Sequence, residues 1–481
     1  MSNIHLKSLL KIIGLILIIV GVSFLFCVPI AVIYSEPVEP FLVSSLISVI
    51  PGLLLYLFVP RSINEKISIK EGYLSVTLSW LVLTTFGSLP YLLSGTIPQF
   101  INAFFETTSG FTTTGATILK DVEIMPRSIL FWRSLTHWIG GVGVILLVII
   151  ILPTLKVGGY NLFSLESSMK QKILPKTKSI AYTILLIYLG MTLLEIILLK
   201  LGGMSLFESL CHTFATVATG GFSTRNTSIS AFSPYIQYII AIFMFLAAVS
   251  YVVFYFLVRG EFRKIRAYEE LWFYIFFITA AVVGVTMILY FGTERDFILS
   301  FRHGFFQAIS QVTGTGFATT DYMLWPYIGW FFMFLLIPAG GCTGSTAGGI
   351  KMARHLIVLR NLKTVFRKFH HQNAIIPIKL NDRIVPENLN VTMLSFILLY
   401  IIITLVGMTI MQLSGISVME AAGASATAIS NVGPGLGSSG NFGHYNAFNG
   451  VAKGTMIMLM LIGRLEIFTI IALFTRSFWK N

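Results

Sequence analysis

Charge is what this sequence has least of. Only 11% of its 481 residues are Asp, Glu, Lys or Arg, against about 25% in soluble domains, while 55% are hydrophobic and the mean hydropathy is +0.84. Such a chain cannot cover a soluble surface with charge, which excludes a soluble enzyme. Cysteine is also scarce. Cys27, Cys211 and Cys342 are an odd set scattered through apolar or glycine-rich stretches, so they are neither a disulfide framework nor a metal cluster and read as small buried residues. No P-loop, no GxGxxG following a strand and no nucleophile elbow occur, so nucleotide binding within this chain is not expected. Acids and histidines inside the apolar stretches are single and scattered, which counts against a membrane-embedded enzyme. His370-His371 lies in a basic connection without a third ligand and is not read as a metal site.

What is present is a succession of apolar runs, each about the 20 residues needed to cross a ~30 Å hydrocarbon core: 12–33, 41–59, 74–93, 130–152, 180–201, 235–258, 271–291, 325–338 (shorter, running on into glycines), 391–413 and 454–474. They predict roughly ten spans. The first is too long for a signal-peptide core and lacks a small-residue cleavage site, so it is expected to be retained. The net charge of +13 is placed selectively: 24 of the 33 Lys and Arg lie in the two termini and in 61–70, 156–178, 259–266 and 351–383. Basic connections belong on the cytoplasmic side, which predicts a multi-pass protein of the cytoplasmic membrane with both termini inside. That pattern explains the positive charge without nucleic acid.

Between the spans a unit recurs. Residues 104–118 (FFETTSGFTTTGATI), 207–224 (FESLCHTFATVATGGFST), 305–320 (FFQAISQVTGTGFATT) and 419–437 (MEAAGASATAISNVGPGLG) each begin as a short helix and end in a Gly/Thr-rich turn. Aligning Gly115, Gly220, Gly314 and Gly433 gives separations of 105, 94 and 119 residues. The expected division is an N-terminal helix pair at 1–70 and four repeats at 71–178, 179–270, 271–386 and 387–481, the third holding an intramembrane loop. Helices of 12 to 15 residues reach roughly 18–22 Å, too short to cross, so they must be re-entrant. Irregular backbone at membrane depth is tolerated only where protein buries it or it lines a cavity. The fold class read from this is an all-α membrane protein with helix–pore-helix–helix repeats around a central pore.

In every copy the helix precedes the loop, so the partial negative charge of its C-terminus faces the loop. The loops offer Thr112, Thr113, Thr114 and Gly115; Val217, Ala218, Thr219 and Gly220; Val312, Thr313, Gly314 and Thr315; and Asn431, Val432 and Gly433, with no carboxylate among them. Carbonyl and hydroxyl oxygens remain as ligands. Glycine permits the backbone to aim carbonyls at one axis, and carbonyl rings can replace the hydration shell of a weakly hydrated monovalent ion, whereas divalent ions generally want carboxylates. A dehydrated monovalent cation is the predicted substrate.

The loops TTTGAT, TVATGGFST, VTGTGFATT and SNVGPGLG, the run THWIGGVGV after the first loop and the long GGCTGSTAGGIK resemble the Trk/Ktr/HKT superfamily of potassium transporters, over nearly the whole chain. Within it, the extra pair of spans in residues 1–60 is similar to the bacterial Trk membrane subunit. The resemblance implies four pseudo-symmetric units, a homodimer and a TrkA-like cytoplasmic ring of nucleotide-binding regulatory subunits. It also implies potassium as the transported ion and no organic cofactor in this chain. Gly115 stands where sodium-preferring relatives tend to have serine, which points to potassium. All four loops depart from TVGYG and Pro434 follows Gly433, so a less stringent filter is expected, passing some sodium or rubidium.

The run 338–349 holds five glycines in positions 340–349: Gly340, Gly341, Gly344, Gly348 and Gly349. At about 1 kcal/mol each relative to alanine they break the helix, and the break reads as a hinged plug under the filter or as tight packing; the resemblance supports a gate. Arg464, central in the last span, costs at least ~2.5–3.5 kcal/mol to insert. It reads as a fixed positive charge below the filter, as in the family, or as half of a buried ion pair with another span, Glu195 being the candidate; Glu466 projects from another face. Trp132, Arg133 and His137 read as an interfacial anchor. Glu106, Glu208 and Glu420 read equally as attractors of cations at the outer mouth or as caps. The connections 156–178, 259–270 and 351–386 offer surfaces for a regulatory ring, or for anionic lipid. The alternative function is a secondary transporter of a small organic solute with broken helices, though such carriers usually use two inverted repeats.

Overall fold

Long apolar sequences with their backbone hydrogen bonds closed internally are what a bilayer accepts, and the structure is built almost wholly from them. A computed structural model describes residues 6–59, 68–146, 173–371, 374 and 376–480. Three helices come first: α1 (Leu6–Leu25), α2 (Val28–Ile33) and α3 (Glu39–Phe58). A Cβ on Gly14 or Gly52 would sit 2.9 Å from the other residue's carbonyl oxygen, so small residues set the close approach of α1 to α3.

Four runs follow, each with a long helix, then a short one, then a further helix or helix pair. The first is α4 (Ile69–Gly87), α5 (Leu89–Leu93), the short α6 (Phe100–Phe111) and α7 (Arg127–Leu146); the second is α8 (Ile173–Leu201), the short α9 (Leu206–Val217), α10 (Pro234–Ala247) and α11 (Tyr251–Val258). The third is α12 (Glu269–Gly292), α13 (Phe297–Thr313), α14 (Tyr327–Leu336) and α15 (Met352–His370). The fourth is α16 (Glu387–Leu413), α17 (Val418–Ser430), α18 (Gly450–Arg464) and α19 (Ile467–Leu473). A two-residue antiparallel ladder, Lys379–Leu380 with Arg383–Ile384, lies between the third and fourth runs.

Among the described residues, six helices are long and apolar enough to cross a membrane, or eight when each of two bent pairs counts as one span. The expected ten spans also include α7, whose continuation over 147–152 lies outside the described residues, and the ten-residue α14. Most of the basic connection 156–178 lies outside them too. Large apolar side chains stand exposed at helical spacing, among them Leu186, Leu193 and Ile197 on α8 and Leu398 and Leu405 on α16, the surface a lipid-facing helix requires.

Two expected spans are broken. The run 235–258 bends by 92° between α10 and α11, and 454–474 bends by 116° between α18 and α19. Neither break carries proline. Both adjoin the glycine-rich loop of the third unit, and at the first of them that loop supplies hydrogen bonds the break releases: Cys342 N–H donates to Ala248 O at 2.9 Å and Tyr251 N–H to Gly344 O at 3.1 Å.

Candidate filter and gate

Three of the four short helices begin at a side-chain cap: Ser205 accepts from Glu208 N–H, Asp296 from Leu299 N–H and Ser417 from Glu420 N–H, which satisfies an orphan donor of the first turn. All four end alike. Thr113, Thr219, Gly314 and Asn431 have φ of +50°, +54°, +76° and +54°, and each N–H returns to the carbonyl three residues back, Gly110, Thr216, Gln311 and Ala428. In loops one, two and four the next N–H reaches five back, from Thr114 to Ser109, Gly220 to Ala215 and Val432 to Thr427. This is a left-handed helix stop made twice with threonine, a β-branched residue strained in that region by about 1–3 kcal/mol.

The shared stop fixes the register of the loops. Two residues beyond it stand Gly115, Gly221 and Gly316, with φ of +81°, +80° and +79°, and Gly433 in the fourth. Gly433 is not left-handed, and Pro434 follows it. The alignment on Gly220 and Gly314 is therefore corrected to Gly221 and Gly316: Gly220 precedes the equivalent glycine by one residue, and Gly314 is itself the stop.

These glycines interlock. A Cβ on Gly115 would strike the Gly220 carbonyl oxygen, one on Gly221 the Thr315 oxygen, one on Gly316 would sit 2.7 Å from Pro434 Cδ, and one on Gly433 would sit 2.8 Å from the Gly115 oxygen. The contacts run from loop one to two, three, four and back to one. The structure thus brings the sequence-selected loop residues into one closed ring, nearly all of them buried. No backbone hydrogen bond among the described residues ends on the carbonyls of 113–115, 219–221, 314–316, 431 or 432. Buried carbonyls are normally paired, so a ring of unpaired ones at the C-termini of four helices is a site suited to a cation.

Polar side chains behind the ring hold it in shape. Arg133 is 3% exposed; its Nε donates to Glu106 Oε1 at 2.7 Å, one terminal nitrogen donates to Ser223 O at 3.0 Å, and its guanidinium lies 3.5 Å over the Phe222 ring. His137 accepts from Phe222 N–H at Nε2, so Nδ1 carries the proton donated to Gly110 O at 2.7 Å. Trp132 Nε1 donates to Gly87 O. All three belong to the interior and not to an interfacial anchor. The carboxylates tie their loops back onto the short helices: Glu106 accepts from Ile118 N–H, Glu208 pairs with Arg225 at 2.7 Å, and Glu420 accepts from Ser438. Capping and stapling account for their bonds.

Below the ring, 338–351 is irregular, as its glycines predict. Gly340, Gly344 and Gly349 have φ of +75°, +78° and +73°. Gly341 and Gly348 are required by space: a Cβ would sit 2.7 Å from Ala248 O at the first and would strike Ser430 O at the second. Thr346 Oγ1 lies 3.2 Å from Val217 O and 3.1 Å from Ala247 O, and its own carbonyl accepts from Arg464 at 2.8 Å. The loop and the arginine, separate features in sequence, are one assembly. The other two Arg464 guanidinium nitrogens are buried without a hydrogen-bond partner among the described residues, and the Glu195 carboxylate oxygens likewise, so the ion pair between them is not formed. Glu466 pairs instead with Arg354 at 2.6 Å.

One carboxylate that sequence reasoning missed clamps both limbs of this loop. Glu270 Oε1 accepts from Thr343 N–H at 2.6 Å, Thr343 Oγ1 at 3.0 Å and Ala353 N–H at 3.0 Å. Its signal in sequence is Glu269-Glu270 opening an apolar span, which reads as an acidic first turn and hides the long-range role.

Helical spans enclosing a ring of unpaired carbonyls define a membrane transport protein, not an enzyme. The chain belongs to the TrkH family, described as cation transport protein, whose family model matches residues 41–480. It is 34% identical to the "Trk system potassium uptake protein TrkH" of Escherichia coli K12, across 99% of this chain and 100% of that one. It is 31% identical to the TrkI protein of the same system name from Halomonas elongata, across 98% and 97%. The crystal structure of the potassium transporter TrkH from Vibrio parahaemolyticus superposes with a TM-score of 0.91 at 30% identity, covering 99% of this chain and 100% of that one.

Proposed function

We propose that this chain is the membrane subunit of a potassium uptake system, passing potassium inward across the cytoplasmic membrane through the ring of loop carbonyls. The observation that carries the reading is the closed ring itself, made of four loops at matched positions with buried, unpaired backbone oxygens and no carboxylate. Gly115, Gly221, Gly316 and Gly433 space the loops, and the carbonyls at 113–115, 219–221, 314–316, 431 and 432 replace the ion's water. The loop at 340–349 is the gate, and Arg464, tied to it, is a fixed positive charge that weakens ion occupancy below the filter so that ions leave inward. Each of the four repeats supplies one loop, within the bounds 71–178, 179–270, 271–386 and 387–481.

The names of the similar proteins describe a system, which supports a partner. We assign that role to a cytoplasmic nucleotide-binding ring gripping the basic connections, with the chain acting as a homodimer and both termini inside. Reconstituted protein loaded with potassium and offered rubidium tests the reading. Rubidium uptake that potassium competes against more strongly than sodium, and that changes in rate in Arg464→Ala, is expected; absence of cation uptake even with the regulatory subunit supplied would return the organic-solute carrier to consideration.

A further inference from the structure

At the left-handed stop of the four short helices stand Thr113, Thr219, Gly314 and Asn431, and the Asn431 side chain makes a connection that its equivalents do not. Its carboxamide is buried, at 1% exposure. The nitrogen lies 3.1 Å from Thr114 Oγ1 in loop one and 2.9 Å from the Met460 carbonyl in α18. A carbonyl only accepts, so the amide orientation follows from chemistry, and the two hydrogens of one nitrogen serve two different elements.

The bond to Thr114 continues. Thr112 Oγ1 donates to Thr108 O at 2.6 Å, so its hydrogen is committed and it accepts from the Thr114 hydroxyl at 2.8 Å. Thr114 in turn accepts from Asn431. Hydrogen bonds therefore run in one direction from loop four, through both threonines of loop one, into the last turn of the first short helix. Loop three has the same inner pair, Thr313 and Thr315 at 2.9 Å, with no bond from a neighbouring filter loop among the described residues. At the other end, Met460 lies four residues before Arg464, whose guanidinium holds the gate loop at Thr346 O. Gly463 lets α18 approach this same stretch: a Cβ there would strike the Ile429 carbonyl oxygen and sit 3.0 Å from Asn431 Oδ1.

We propose that Asn431 is a positioning residue whose carboxamide fixes the inner end of the first filter loop to the helix carrying Arg464, so that discrimination between potassium and sodium depends on this bridge as well as on the carbonyl ring. The proposal rests on the filter reading above. It differs from the family-level expectation for Asn431, which concerns its backbone oxygen.

Competition of potassium and sodium against rubidium uptake in proteoliposomes tests it. Asn431→Gly removes the amide while keeping the backbone conformation, since Gly314 occupies the equivalent position; Thr114→Val removes the other end, and Thr114→Ser restores the hydroxyl. The preference for potassium is expected to fall roughly threefold to tenfold, the range of one neutral hydrogen bond, in Asn431→Gly and in Thr114→Val. The double variant falls no further than either, and Thr114→Ser recovers the preference. Unchanged preference in transporting Asn431→Gly and Thr114→Val, or a double variant losing the product of the two separate losses, overturns the proposal. Gly115→Ser is measured beside them: if it alone alters preference, only the role of Asn431 fails, and if it too is silent, the filter reading fails. Should Asn431→Gly not reach the membrane, Thr114→Val against Thr114→Ser decides.

Discussion

Two residues, Gly314 and Gly316, separate the register of the ring from its composition. Gly314 has room for a Cβ, which would meet its neighbours in ordinary contact at 3.6 Å, and the fourth loop places asparagine at the same backbone position. Gly316 combines φ of +79° with a Pro434 Cδ that would lie 2.7 Å from any Cβ, so alanine there adds about 1–2 kcal/mol of left-handed strain to a collision. Gly314→Asn is expected to keep rubidium uptake and ion preference close to wild type, while Gly316→Ala loses one or both. The reverse order of sensitivity in the same flux measurement would contradict the register. The sequence could not show this because the helix stop tolerates threonine and asparagine as well as glycine, so in loops two and three the first glycine met, Gly220 or Gly314, is not the equivalent one. Arg133 gives a stability test at the same scale: Arg133→Leu strands the buried Glu106 carboxylate, and removing one partner of a buried pair costs about 3–5 kcal/mol. A clear drop in the thermal unfolding midpoint in detergent is expected, whereas an unchanged midpoint would mean that Glu106 finds another partner.

At the scale of elements, the feature to explain is that α10–α11 and α18–α19 break beside the same irregular loop. Hydropathy sees composition, and both runs are apolar enough to read as one span each despite Arg464 and Glu466 in the second, so the bends of 92° and 116° are invisible to it; they form against a loop about a hundred residues away in sequence. The loop itself is legible, because three of its glycines are needed for backbone angle and two for space. Its clamp is not. Glu270→Ala leaves the buried Thr343 and Ala353 N–H groups without their acceptor, about 1–3 kcal/mol for each unsatisfied group. Basal uptake measured without any regulatory subunit is therefore expected to rise, and Glu270→Gln, which keeps an accepting oxygen, is expected to lie between wild type and alanine. Basal uptake lower in alanine than in wild type, with the protein folded, would contradict a restraining role for the clamp.

Across the whole molecule, the repeat is the most informative thing in the sequence. Four short helices ending in Gly/Thr turns, too short to span and too apolar to leave the membrane, admit few arrangements, and the structure closes them into a ring in chain order. The apolar helix faces in contact with lipid follow from the same composition. What composition could not supply is the set of polar side chains behind the ring, Arg133, His137 and Glu106, because buried polar residues in a membrane chain read as exposed or anchoring until their partners, 27 to 90 residues away, are in view. If the closed carbonyl ring selects the ion, selection turns on Gly115, where any side chain meets Gly220 O. Rubidium uptake into proteoliposomes, competed by potassium or sodium, compares wild type with Gly115→Ser. Potassium is expected to be the stronger competitor in wild type, with a preference that collapses toward unity in the serine variant; an unchanged ratio in a variant that still transports would mean that the ring does not select the ion.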